Sequence, residues 1–576
     1  MTEQTVTSDQ AIAMAQQALN QNRPAEAEVL MRKLTAATPR EATLPRYLLG
    51  LSLLALQRPA EAIEILQEVL EVEPAAGQVR SAVAKALEDT GDVRAAFEAY
   101  HSALIANPSE LRARWVGGRL LPRVYQDETE VSLWRHRFSA ALHSLTGAPL
   151  ETPEQAEAAL AGVLLMTNFE LAYQSEDDRP LQEAWGKFVH AAVAKRFPDL
   201  ASPCPPPAPV EGRRLKIGLV SEHFYSHTIM LLFGHWALQA DTSGVEIHSY
   251  MVGGTRDASS EVMAQQSIFR DLRAASIEDA ARIIRKDELD CLVFPDLGMG
   301  KSSFVLAAFR LAPLQMVSWG HPVTTGLPTI DVFLTSDAME PEGGEAFYSE
   351  RLVRLPRLGI YYHPTPVTSG NRAAFGLPDE AIVYLCCQAQ QKYLPQHDYL
   401  FPAIAAEVPD SRFVFIEHRQ FTKVNQAFRQ RIEAAFRADS LDPDKHLVFL
   451  PWQDWQDFLR LCSVSDVFLD SIGWSGGNTT LEALAQGLPP VTLPGRFMRS
   501  RHTMAMLKLM EIDDLIAVDE ADYVRIAVRM GANVELRTAL RERVLERRDC
   551  LYKDIGAVRA FEEMIRREVS AIARAE

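Results

Sequence analysis

Residues 472–495 read IGWSGGNTTLEALAQGLPPVTLPG and follow the apolar run Val467-Phe468-Leu469. Gly476 and Gly477 permit a close backbone approach that a Cβ would block. Asn478, Thr479 and Thr480 then lead into a helix expected over 481–486. The N-terminus of such a helix favours an anion through its free N–H groups and its dipole. Glu482, one turn in, is placed to accept from sugar hydroxyls. The pattern suits a cradle for a diphosphate, and a tight turn before a capped helix is the plainer alternative. Arg496, Arg499 and Arg501 follow the next apolar run, available to phosphate.

Other polar residues fall at the ends of apolar runs. Lys392 closes YLCCQAQQK, where an ammonium can neutralise a leaving diphosphate; a solvated loop lysine is the ordinary alternative. In LVSEHFYSHTIMLLFGHW, His223 and His227 lie just past a strand, and either can serve as acid or base because imidazole titrates near neutrality. His235 is expected in the core or on the surface. The loop GHPVTTG supplies Gly320, His321, Thr324, Thr325 and Gly326. No paired carboxylates stand at a strand end with metal-ligand spacing, and SEDDR (175–179) reads as a capped turn. The expectation is no metal and no cofactor, with Lys392 and backbone amides stabilising a leaving group.

The positioning elements follow from periodicity. Pro39, Pro74 and Pro108 close helix-rich blocks 35 and 34 residues long. In step with them recur Met14, Leu49 and Val83; Ala15, Gly50 and Ala84; Ala27, Ala62 and Ala96; Met31, Leu66 and Tyr100; Leu34, Val69 and Ala103. Small residues let antiparallel helices approach, large ones fill the space between units, and the proline ends each pair. This is the tetratricopeptide pattern, which stacks into a solenoid. About three repeats over 1–110 are expected, then a helical extension over 111–200 and a proline-rich linker, ASPCPPPAPVEGRR, at 201–214.

Beyond the linker, strands alternate with helices. LKIGLVS, VEIHSYMVG, LDCLVFPDLG and LQMVSWG belong to a first unit, 215–375. AIVYLCC, SRFVFIE, HLVFLP, SDVFLD, PPVTLPG and DLIAVD belong to a second, 376–545. Two tandem α/β units predict two Rossmann-like domains that bind ligands beyond the carboxyl ends of parallel strands. A helix or helix pair over 546–576 closes the chain.

The totals restrict the function. A net charge of −17 argues against sequence-independent nucleic-acid binding. The six cysteines form no CxxC pair, so buried free thiols are expected rather than disulfides or zinc. No stretch of eighteen apolar residues and no basic-apolar leader is present, so a cytoplasmic protein with no membrane span is expected.

Taken together, the repeats and the motifs APLQMVSWGHPVTTGLPTIDVFLTSD, FYSERLVRLP, SDVFLDSIGWSGGNTTLEALAQGLPPVTLPG and SRHTMAMLKLM resemble the O-linked N-acetylglucosamine transferase and SPINDLY-like family (family 41 type). TNFELAYQSEDDRPLQEAWG is similar to the segment that bacterial members carry before the catalytic region. The resemblance implies a tetratricopeptide α-solenoid followed by a GT-B pair of Rossmann-like domains. It also implies an inverting, metal-independent transferase with a nucleotide-diphosphate sugar donor, UDP-linked above all, and a protein acceptor selected by the repeats. On this resemblance Lys392 contacts the diphosphate, Thr479 and Thr480 bind phosphate, and Glu482 binds ribose. His227 falls on the active-site histidine of VSxxFxxH, to accept the acceptor's proton or to position the acceptor, and Gly320 to Gly326 line the donor-sugar pocket. The chain departs from the family at Asn478, where many members have His, and at Gln388, where Asn is usual. It departs also at His321 in place of Tyr, and at Phe458 and Leu461 where His and Arg contact base and ribose. GHP and GN are also similar to bacterial glucosyltransferases that modify adhesin asparagines.

The competing readings are a non-catalytic repeat adaptor on a degenerate transferase fold, and a transferase using another donor, such as GDP-fucose or a CMP-nonulosonic acid, to modify flagellin. A transferase acting on a small glycan or lipid leaves the repeats without a role. The repeats themselves offer a surface to a substrate protein, a second copy of the chain, or another protein.

Overall fold

The computed structural model describes residues 7–574, and the two units into which the chain divides are taken separately. The first six residues, where no leader is read, and the last two of segment 546–576 lie outside the described residues.

One unit holds the repeats, with 132–141 and 418–428. Helices pair as Ser8–Asn20 with Pro24–Ala37, Thr43–Ala55 with Pro59–Val72, and Gly77–Thr90 with Val93–Ala106. Pro24 and Pro59 open their helices at the first turn, where the missing N–H costs nothing. Ala15, Ala27, Met31, Leu49, Ala62, Leu66, Ala96 and Tyr100 are all buried, as the repeat pattern requires. Met14 is 47% exposed although Leu49 and Val83 are buried, since no earlier repeat among the described residues covers it.

The other unit holds two parallel sheets. The first comprises β1 (Leu215–Ser221), β2 (Val245–Met251), β3 (Ile268–Asp271), β4 (Cys291–Phe294), β5 (Leu314–Ser318), β6 (Val332–Ser336) and β7 (Arg351–Leu355), in the order β3-β2-β1-β4-β5-β6-β7. The second comprises β8 (Ile382–Cys386), β9 (Ser411–Ile416), β10 (Leu447–Leu450), β11 (Val467–Leu469) and β12 (Pro490–Val491), in the order β10-β9-β8-β11-β12. The central strands are apolar nearly throughout because helices cover both faces. Strand order reverses between β1 and β4 in one sheet and between β8 and β11 in the other. Ligands bind outside such switch points, where adjacent loops diverge.

Some expected elements differ. DLIAVD is no sheet strand: a 3-10 turn at Asp513–Leu515 leads to a single bridge from Ile516 to Thr492. β3 adds an edge strand to the first sheet, and β6 and β7 extend it beyond the four strands expected there. The C-terminal helix, Ile555–Arg574, packs on the first Rossmann-like layer. There Phe561 stacks on Trp236 at 4.2 Å and Glu562 accepts the Asp241 amide at 2.8 Å.

The helix Arg179–Arg196 also packs against this lobe. Gly326 sits with φ +70° so close to it that a Cβ would strike the Gln182 carbonyl, and a Cβ on Gly186 would strike Gly326 in turn. Gly326 thus lets the loop pack directly onto this helix.

Candidate functional site

Beyond β11 the chain turns through 470–477 before a helix at Asn478–Ala485, three residues earlier than expected. Fully buried Asp470 braces the turn, accepting the Gly476 amide and the Thr492 hydroxyl, both at 2.8 Å. Ser475 Oγ accepts the His502 amide at 2.9 Å. A Cβ on Gly476 would come within 2.5 Å of Gln388 Nε2. The first helical bond is Leu481 N–H to the Gly477 carbonyl at 3.2 Å, so the preceding amides have no acceptor within the helix.

Lys392, beyond β8, reaches the same turn. Its ammonium donates to Gln388 Oε1 at 2.8 Å and to the Ser475 carbonyl at 3.3 Å. Gln388 Nε2 donates onward to Thr479 Oγ1 at 2.7 Å. The lysine side chain keeps some exposure, but the protein atoms around its ammonium push its pKa down to about 8, with Asp470 pulling the other way. At neutral pH it is still mostly charged. The expected Lys392, Gln388, Gly477 and Thr479 therefore come together at one switch point.

Other expected residues take different roles. Thr480 is fully buried, and its hydroxyl pairs with Thr503 at 2.9 Å inside the core. Asn478 Oδ1 accepts from Tyr362 at 2.8 Å. Glu482 is almost wholly buried, with Oε1 accepting from Trp455 Nε1 at 2.8 Å; burial raises its pKa to about 7. Phe458 and Leu461 face an apolar core cluster with Val383, Leu385 and Phe468, not a ligand. Arg501 turns to the Gly495 carbonyl at 3.1 Å. Arg499 donates to the Glu176 carbonyl at 2.7 Å and lies 3.7 Å from Asp178, while Arg496 pairs with Glu176 at 3.2 Å. Buried Arg499 holds the SEDDR segment in place, while Arg496 meets it in an exposed ion pair. Asp178 makes no side-chain cap bond; Asp177 accepts the Arg179 amide at 3.0 Å.

In the first lobe, loops beyond β1 and β4 meet. His223 Nδ1 lies 2.5 Å from Asp296 Oδ2, and the His223 and His227 rings stack at 4.5 Å. Burial lowers the His227 pKa to about 4, with His223 acting in the same direction. Burial also opposes protonation of His223, but the bond to Asp296 and its charge prevail and raise its pKa. His235 packs against Tyr361 and His363.

The GHPVTTG loop is pinned by buried Glu350, which accepts Thr324 Oγ1 at 2.6 Å, the Thr325 amide at 2.8 Å and the Thr325 hydroxyl. The Gly320 amide donates to Pro295 O at 2.9 Å. His321 is buried, its pKa pushed to about 3, and lies 5.1 Å from Phe169 and 6.3 Å from Trp474.

Two residues escaped the sequence reading. Trp474 stacks on Tyr173 at 4.4 Å and carries the Lys392 ammonium 5.6 Å over its ring, joining the helical extension to the lysine of the second lobe. His502 is buried beside Trp319 at 5.4 Å, with Nδ1 3.4 Å from where a Gly477 Cβ would stand. Its position after an arginine-rich loop was the only signal, since its neighbours come from distant segments.

Residues 204–363 and 359–554 match glycosyl transferase family 41, and residues 12–78 and 47–110 match tetratricopeptide repeats. The chain belongs to glycosyl transferase family 41. Within the family it is 27% identical over 346 residues to a probable UDP-N-acetylglucosamine–peptide N-acetylglucosaminyltransferase SPINDLY of Solanum lycopersicum, covering 58% of this chain and 36% of that one. It is 26% identical over 323 residues to the probable transferase SEC of Arabidopsis thaliana, covering 54% and 32%. The chain thus spans about a third of the length of these relatives. A mutant Thermobaculum terrenum O-GlcNAc transferase superposes with a TM-score of 0.70 at 22% identity, covering 100% of this chain and 99% of that one. This likeness makes the fold of this family member the repeat-bearing GT-B architecture. Among the described residues no helix is long and apolar enough to cross a membrane, and no three or more His, Cys, Asp or Glu side chains gather as a metal site.

Proposed function

We propose that the chain transfers a sugar from a nucleotide-diphosphate donor, UDP-N-acetylglucosamine or another UDP-hexose, to a protein side chain presented by the repeats. The observation that carries this reading is the Lys392–Gln388–Thr479 chain at a helix N-terminus and a switch point. A diphosphate lying there meets an ammonium, a hydroxyl and helix amides, charges fixed before the reaction begins. The acceptor attacks the anomeric carbon from the face opposite the diphosphate, inverting it, and the breaking C–O bond leaves its electron pair on the diphosphate. Lys392 balances that charge without a metal. Gly320 and His321 bound the sugar side, and His227 contacts the acceptor.

The experiment is donor turnover by the full chain, read as nucleotide release from UDP-N-acetylglucosamine, UDP-glucose, GDP-fucose and a CMP-nonulosonic acid, with and without EDTA. Turnover of one donor, unchanged by EDTA, is expected. Turnover of none, with no sugar appearing on protein, favours the adaptor reading, to which buried Phe458 and Leu461 lend support as absent base contacts.

A further inference from the structure

We infer that His223, held by Asp296, takes the acceptor's proton, and that His227 orients the acceptor without deprotonating it. This rests on the glycosyl-transfer reading above and assigns its base.

The two histidines differ in which nitrogen is engaged. His227 Nδ1 accepts the Ile229 amide at 3.2 Å, as the N-cap of the helix Thr228–Phe233. A neutral ring that accepts through Nδ1 carries its proton on Nε2. Its other nitrogen is therefore a donor, suited to hold an acceptor oxygen and unable to take a proton from it.

His223 is set the opposite way. Its Nδ1 faces a carboxylate oxygen of Asp296 at 2.5 Å, so that nitrogen bears the hydrogen and Nε2 keeps its lone pair. Asp296 is fully buried at the end of β4, and its Oδ2 also accepts from Ser221 Oγ at 2.7 Å. The His223 amide donates to that same Ser221 Oγ at 2.8 Å, which fixes the ring's loop to the carboxylate. Asp296 Oδ1 is buried with no hydrogen-bond partner, so much of the carboxylate's charge is directed at the imidazole. The His223 side chain remains 16% exposed. Both residues lie at the switch point between β1 and β4, where the acceptor side of a cleft belongs.

The titratable groups around the ring are Asp296 from the β4 loop and Glu222, Tyr225 and His227 from its own loop. Glu222 is anchored by the Ser303 amide at 3.0 Å from the neighbouring helix. Two carboxylates thus favour the imidazolium and one imidazole opposes it, in keeping with the raised pKa of His223 and the lowered pKa of His227.

In the step, the acceptor O–H bond breaks and its proton passes to His223 Nε2. The oxygen's electron pair forms the new bond to the anomeric carbon. The anomeric C–O bond breaks, its pair leaving on the diphosphate beside Lys392. Asp296 neutralises the imidazolium that forms.

The test uses the full chain and whichever donor of the panel turns over, with water or protein as acceptor. His223→Gln is expected to lower turnover roughly 100-fold or more, the usual worth of a general base, and to remove the acidic limb of kcat/KM against pH. Asp296→Asn should move that limb to lower pH. His227→Asn, which can still cap the Ile229 amide, should keep the limb and mainly raise the acceptor KM. Donor binding by calorimetry should survive in all three. Normal turnover in His223→Gln with donor bound overturns the base assignment alone, as does loss of the limb in His227→Asn. Absence of any donor binding by the unmodified chain overturns the transfer reading and the assignment with it. Independently of donor, nitrogen NMR of the histidines should find the His223 proton on Nδ1 and the His227 proton on Nε2; the reverse tautomers overturn the proposal.

Discussion

Gln388 gives both ends of its amide to the site, Nε2 to Thr479 Oγ1 at 2.7 Å and Oε1 to the Lys392 ammonium at 2.8 Å. The lysine after β8 and the helix after β11 are thereby joined by one side chain, and the amide fixes where the ammonium points.

Gln388→Leu should therefore weaken donor binding without removing the lysine. Losing a bond to a charged group costs about 1.5–3 kcal/mol, or roughly 10- to 100-fold in Kd. Thr479→Val should weaken binding as well, by less. Thr480→Val should instead lower Tm and leave donor Kd nearly unchanged, because that hydroxyl pairs with Thr503 inside the core. Calorimetric titration with the donor nucleotide and a thermal melt separate these outcomes.

The two glycines of the turn should respond differently. A Cβ on Gly476 meets Gln388, Thr479 and Thr480 side chains, whereas a Cβ on Gly477 finds only His502 Nδ1 at 3.4 Å, an ordinary contact. Gly476→Ala is expected to cost about 1–3 kcal/mol of stability through overpacking and to abolish donor binding. Gly477→Ala should bind donor within a few-fold of the parent chain.

Glu482 predicts an unusual pH dependence. Burial lifts its pKa from 4.5 to about 7. Between those values the folded chain holds a proton that the unfolded chain has lost, so stability falls as pH rises through that window. Glu482→Gln keeps an acceptor for Trp455 and removes the buried charge. It should raise stability at pH 8 by on the order of 3 kcal/mol, seen as a higher Tm, and change little near pH 5. An equal effect at both pH values would show that the carboxylate is not strained by burial.

Arg499 should prove structural. It and Asp178 are both almost fully buried, and it also holds the Glu176 carbonyl. Removing one member of a buried pair typically costs about 3–5 kcal/mol, so Arg499→Met should lower the urea midpoint clearly. If it were a phosphate ligand, the larger change would appear in donor Kd.

The repeats were legible because prolines and small residues recur at fixed intervals, and the central strands because parallel sheets covered on both faces leave apolar runs. β3 was hidden because Ile268-Phe269-Arg270-Asp271 is a partly exposed edge with no such run. DLIAVD misled for the converse reason, being apolar while making only one bridge. Site loops could be found as polar clusters at strand ends. What those clusters touch could not, because the partners are set by strand order: His223 meets Asp296 across 73 residues, and Thr325 meets Glu350 across 25. Arg496 and Arg499 looked free for phosphate since no acidic residue stands near them in sequence, and both find their partner at Glu176, more than 300 residues back.

The measurement that tests the account most directly is thermal stabilisation by UDP-N-acetylglucosamine, UDP-glucose, GDP-fucose and a CMP-nonulosonic acid, with Lys392→Ala alongside. A bound ligand at 100 times its Kd stabilises the fold by about 2.7 kcal/mol, which for a chain of this length is a Tm shift of about 2 °C. The account predicts a selective shift with one donor in the parent chain and a much smaller one in Lys392→Ala. No shift with any donor at millimolar concentration, or an undiminished shift in Lys392→Ala, would contradict it.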